Sequence, residues 1–141
     1  MPFKYESISR MTGEDMEERI YRVRDWDKHF EKAQTRRCGR MTWIAVPNKH
    51  DGKSYRRIMR HDRQAELLAA WVLILQVASK CDPRGVLIDD GRPLDAEDLA
   101  DATGLHAEAF ELAFDVLTQD RIGWLEVVPS SQHAPSTVGA R

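Results

Sequence analysis

Apolar positions recur along this chain with periods of two and then of three to four. Ile20-Tyr21-Arg22-Val23-Arg24 alternates apolar and basic residues, the pattern of a half-exposed strand. Asp25 stands where a helix cap belongs. Trp26, Phe30 and Ala33, at i, i+4 and i+7, then predict a helix over residues 26–37, ended at Gly39. Residues 41–46 (Met-Thr-Trp-Ile-Ala-Val) read as a strand stopped by Pro47-Asn48. Residues 54–60 predict a short helix with Tyr55 and Met59 inward and Arg56, Arg57 and Arg60 outward. Asp62 is placed to cap a long helix over residues 63–80. That helix is apolar nearly all round from Leu67 to Ala78, so it belongs at the centre of the fold until Asp82-Pro83-Arg84-Gly85 breaks it.

Beyond Gly85 the periods change quickly. Val86-Leu87-Ile88 is a short apolar strand closed by the turn residues Asp89-Asp90-Gly91. Two helices follow, over residues 94–103 and 106–119, joined at Gly104-Leu105. Asp95 is the natural cap of the first, with Glu97 and Asp98 in the opening turn where the helix dipole favours acids. Leu99 and Ala100 face inward, and Gly104 supplies a tight turn. Phe110, Ala113, Phe114 and Leu117 form the apolar stripe of the second helix, and residues 122–128, with Trp124 and Leu125, read as a returning strand. Strand, helix, turn, helix, strand is the order of a winged helix-turn-helix. The expected fold class is therefore α+β and mostly helical, a winged helix-turn-helix core with an N-terminal strand and helix extension whose strands add to the small sheet. Residues 1–19 are expected to be a flexible lead-in, 20–128 the domain, and 129–141, rich in Ser, Pro and small residues, a disordered tail or linker.

At 141 residues the chain is one domain's worth, and 42% hydrophobic with 31% charged residues is a globular composition. No apolar run follows a basic start, and the longest such run, residues 67–75, is about half of the ~20 residues a bilayer requires. With only Cys38 and Cys81, a cytoplasmic, reducing setting with inert thiols is expected. The net charge of -2 conceals a polarity. Residues 17–63 hold 14 Lys/Arg against 7 Asp/Glu, whereas residues 82–121 hold 3 against 11. One side of the protein should be basic and another acidic.

In this light Tyr21-Arg22-Val23-Arg24-Asp25-Trp26, Trp43-Ile44-Ala45-Val46-Pro47 and the run from Ala70-Trp71 through Ala78-Ser79-Lys80 form the first half of a familiar order. Arg84-Gly85-Val86-Leu87-Ile88, Asp98-Leu99-Ala100-Asp101-Ala102-Thr103-Gly104 and Ile122-Gly123-Trp124-Leu125-Glu126 complete it. Over residues 20–128 the chain resembles the N-terminal winged-helix domain of phage and prophage replication proteins of the replisome-organiser type. The resemblance rests on the order of short motifs and not on one signature. It implies a DNA-binding module that helps mark an origin or recruit a helicase or loader. The chain departs from the pattern in its second motif helix, which offers Glu108, Glu111, Asp115 and Asp120, leaving His106 and Gln119 as base readers.

Because affinity for duplex DNA comes mainly from neutralising phosphates, acids along a recognition helix oppose binding. The candidate contacts are instead Arg36, Arg37 and Arg40, then Lys49, Lys53, Arg56, Arg57, Arg60 and Arg63, with Arg22 and Arg24 on one strand face. A solvated basic surface balancing the acidic one is the plain alternative, and self-association between the two patches, giving a homodimer, is another. Gly52-Lys53-Ser54 imitates the end of a phosphate-binding P-loop, but the earlier glycine of that motif falls on Pro47. His50-Asp51 and His61-Asp62 lack partners at metal-ligand spacing, and no nucleophile–base set is legible, so no cofactor, metal or catalysis is expected. Trp26, Trp43, Trp71 and Trp124 read as packing residues, with Trp26 near enough to Arg22 and Arg24 to stack on nucleic acid. A protein-interaction adaptor that no longer binds DNA is the competing function.

Overall fold

The structure, a computed structural model, describes residues 19–37 and 39–129. The expected lead-in and tail, apart from Arg19 and Pro129, and Cys38 lie outside the described residues. The alternating segment forms strand β1 (Ile20–Val23), and Asp25 turns the chain into helix α1 (Trp26–Phe30). Asp25 does so through its backbone, in the left-handed region at φ 54°, and its side chain makes no cap. The single helix expected over residues 26–37 is two, because Glu31 and Lys32 are extended before α2 (Ala33–Arg36) begins. Glu31 causes this interruption. Its carboxylate turns inward to accept the indole N–H of Trp26 at 2.7 Å and the Thr35 hydroxyl at 2.7 Å.

The strand expected over residues 41–46 is absent. That stretch has no regular structure, Met41 alone is buried, and Trp43 is 70% exposed and not a packing residue. The short helix expected over residues 54–60 forms as α3 (Lys53–Ile58), with Ile58 anchored in the core and Arg57, expected outward, turned in to the Arg121 carbonyl. The long helix is α4 (Gln64–Ala78). Its N-cap is Arg63, whose N–H is accepted by His61 Nδ1 at 3.0 Å, so the expected Asp62 cap is not made. Leu67, Ala70, Trp71, Ile74, Leu75 and Ala78 of α4 are buried at helical spacing, and the helix packs against β1 and the two helices that follow.

Of the expected strand Val86-Leu87-Ile88 only Ile88 enters a ladder, joined by Asp89, which was expected in the turn; together they are β2 (Ile88–Asp89), in a hairpin with β3 (Arg92–Pro93). Helix α5 (Ala96–Thr103) begins with a reciprocal cap in which Asp95 and Asp98 accept each other's backbone N–H at 2.9 Å. Gly104, at φ 91°, ends it, and α6 (Ala107–Leu117) follows within three residues. The stripe Phe110, Ala113, Phe114 and Leu117 is buried against α4 and α5. The last strand, β4 (Leu125–Val128), starts after Trp124 and pairs antiparallel with β1, Ile20 opposite Val128 and Val23 opposite Leu125. The other edge of β1 is held by Leu87, whose N–H donates to the Tyr21 carbonyl at 2.8 Å. The protein is thus α+β, with two small antiparallel sheets, and the N-terminal strand joins the C-terminal one.

Candidate nucleic-acid interface

The thirteen residues expected to contact DNA do not share one surface. Arg22 and Arg24 both donate to Glu126 on the facing strand, at 2.5 and 3.2 Å. Arg36 donates to the Asp27 carbonyl at 3.3 Å, beside exposed Arg37. Arg40 lies with Lys80 and Arg84 beyond the C-terminal end of α4, and Lys49 faces Asp51 at 4.0 Å in open solvent. Arg63 is drawn to the acidic side. Its guanidinium donates to Glu66 at 2.5 and 2.9 Å, and that hydrogen bond, with the charges of Glu66 and Glu108, raises its pKa further. The Arg63 hydrogen bond lowers the pKa of Glu66, and the nearby charges of Arg63 and His106 add to the effect.

His106 is occupied in the same way. It is the N-cap residue of α6, and its Nε2 lies 2.7 Å from Glu66 Oε2, so the ring is tied to the start of α4. Gln119 is exposed in the turn after α6. The outer face of α6 carries Glu108, Glu111 and Asp115, all exposed, in agreement with the acidic character read from the sequence.

One part of the expected set does converge. In α3, Ser54, Arg57 and Ile58 fall at i, i+3 and i+4, the inward face of a short helix. Ser54 donates its hydroxyl to the Ile122 carbonyl at 2.8 Å, and Arg57 Nη1 donates to the Arg121 carbonyl at 2.6 Å. These two bonds clamp α3 onto the turn after α6. The clamp brings Arg57, Arg60, His61 and Arg121 around a cleft of about 260 Å³. No ion-pair partner for Arg60 or Arg121 is found among the described residues, and Arg56 and Lys53 lie exposed on the same short helix. Concentrated cations without carboxylates have the character of an anion site. Arg121 is the member that the sequence reading omitted, because it stands in the acidic half and only the fold sets it beside α3.

A second cleft, of about 480 Å³, lies on the other side of the same clamp. Phe30, Tyr55, Leu68, Trp71 and Trp124 form its walls, and Arg24, His29, Lys49 and His50 stand at its rim with Asp25. Trp71 and Trp124 face each other with centroids 4.9 Å apart, and His50 meets Tyr55 at 5.0 Å. Sequence reasoning assigned Trp71 and Trp124 to packing, which they also serve. No spacing rule finds such a cleft, since its lining comes from five separate segments. Trp26, by contrast, is buried and bonded to Glu31, so it offers no stacking face.

The remaining motifs have structural roles. Gly52 is the N-cap of α3 and Ser54 is committed to Ile122, so Gly52-Lys53-Ser54 begins a helix and builds no phosphate loop. The Cys81 thiol is pushed up by burial. Among the described residues no group of three or more His, Cys, Asp or Glu side chains is placed to hold a metal, and no helix is long and apolar enough to cross a membrane. No protein-family model matches the sequence, and neither a curated protein nor a solved structure is significantly similar to it.

Proposed function

We propose that this protein is a non-catalytic DNA-binding accessory module that grips phosphates through the arginine cleft of α3 and the Arg121 turn. The observation that carries the reading is that cleft, in which Arg60 and Arg121 have no carboxylate partner among the described residues and stand beside Arg57 and His61. Phosphate recognition requires no particular helix in the groove, so the acidic α6 need not lie against the DNA. The trio α4, α5 and α6, closed by β1 and β4, supports a winged-helix reading. It is a divergent one, because β4 pairs with the N-terminal strand where a wing would supply its own hairpin. The assignment to replication, with a helicase or loader as partner, rests on the resemblance of residues 20–128 to replisome-organiser domains.

Fluorescence anisotropy with a labelled DNA tests this. Three arginines on three phosphates give a salt slope of about -2.7, or about a 40-fold loss of affinity between 50 and 200 mM salt. Arg60→Glu with Arg121→Glu should abolish binding, while Arg36→Glu with Arg37→Glu should change it only about twofold. Equal losses for both pairs would show diffuse attraction and end the assignment to the cleft.

A second reading is favoured by the exposed Glu108, Glu111 and Asp115. This face suits a basic protein partner or the arginine cleft of a second copy. Sedimentation at low salt distinguishes the cases: a dimer that dissociates as salt rises, with no DNA binding, would favour the adaptor.

A further inference from the structure

We infer that the aromatic cleft between α3, α4 and the Trp124 turn receives an unstacked base of single-stranded nucleic acid, whose neighbouring phosphate lies in the arginine cleft. The inference rests on the proposed binding of phosphates by that cleft and adds what the ligand is. The two clefts share their supports. Helix α3 turns Tyr55 into one and Arg57 into the other, and residues 121–124 run from the second into the first. Arg121 and Gly123 are two residues apart, so their Cα atoms are at most about 7 Å from each other. That span suits adjoining parts of one nucleotide strand.

The chemistry of each part agrees. Half-buried Tyr55 and Trp124 offer π faces over the buried Trp71, and stacking on such faces takes any base with little regard to sequence. Lys49 at the rim, facing Asp51 only at 4.0 Å in open solvent, supplies positive charge for the backbone. Asp25, the one carboxylate of the cleft, repels phosphate but can accept a hydrogen bond from an exocyclic amine. A paired base within a duplex cannot enter, because its faces are covered by its neighbours. The acidic α6, which disfavours lying in a major groove, is no hindrance to a single strand.

The test compares three labelled 12-nucleotide probes at 50 mM salt: a mixed-sequence single strand, the same strand with abasic sites throughout, and the duplex. The single strand should bind at least tenfold tighter than either of the others and quench tryptophan fluorescence. Tyr55→Ala should cost about tenfold with the single strand and nothing with the abasic strand, and Tyr55→Phe should restore binding. Lys49→Ala with His50→Ala, at exposed positions, should also weaken the single strand about fivefold, which guards against a fold defect in Tyr55→Ala. Equal binding of the intact and abasic strands, or preference for the duplex, overturns the inference while leaving the arginine-cleft reading intact, provided Arg60→Glu still removes binding. If no probe binds, both are overturned.

Discussion

Glu31 shows how one side chain reshapes its surroundings. Its side chain is only 4% exposed, and it sits between the Trp26 indole, the Thr35 hydroxyl and Arg84 Nη1 at 3.2 Å. Burial by itself would raise its pKa; the hydrogen bonds from Trp26, Thr35 and Arg84, with the Arg84 charge, outweigh this and lower it. The folded pKa is thus below the unfolded value of about 4.3. The stabilisation this carries is fully present above that unfolded value and is lost as pH falls through the folded one. Glu31→Gln should therefore lower stability by about 2 kcal/mol at pH 7, the scale of lost charge-assisted hydrogen bonds, and by less below pH 4. Urea titrations of both proteins from pH 7 to pH 3 measure it, and a constant difference across that range would contradict the assignment. Gly85 answers the same packing from the other side. It sits at φ 91°, and a Cβ there would lie 2.6 Å from Trp26 Cγ. Gly85→Ala should cost about 2–4 kcal/mol, from left-handed backbone strain and overpacking together, read as a shift in the urea midpoint.

At the level of elements, local signals succeeded where one segment contains its own reasons. Helix α5 begins at Asp95 because Asp95 and Asp98 satisfy each other's N–H groups, and Asp95→Ala should cost about 1 kcal/mol in the same measurement. The stripe of α6, the apolar α4 and the Gly104 turn were legible for the same reason. Residues 26–37 were not, since helical spacing says nothing of a carboxylate that turns inward to Trp26, Thr35 and the distant Arg84. Residues 41–46 have strand-like composition but join neither small sheet, and β1 offers them no edge, because it is already held by β4 on one side and by Leu87 on the other. The arginine cleft was half legible. Arg60 followed from the outward face of a short helix, whereas Arg57, expected outward, turns in, and Arg121 required knowing that Ser54 and Arg57 fasten that helix to the turn after α6.

Across the whole molecule the two charge blocks of the sequence are not cleanly parted, and this sets how binding should respond to salt. Arg63 is bonded to Glu66 and feels Glu108, so the field of the acidic stripe reaches the basic side. The acids of α6 then act on DNA in one of two ways, through space or by contact. If phosphates sit in the arginine cleft, Glu108→Gln, Glu111→Gln and Asp115→Asn together remove a long-range repulsion. Affinity should rise about fivefold at 10 mM salt, where the screening length is about 30 Å, and the gain should disappear at 150 mM, where it is about 8 Å. A helix lying in the groove would bring the same carboxylates within one screening length of phosphates at either salt concentration. Anisotropy titrations of the triple variant at the two concentrations separate these geometries. A gain that survives at 150 mM would move the contact from α3 to α6 and restore the recognition helix that the arrangement of Glu108, Glu111 and Asp115 argues against.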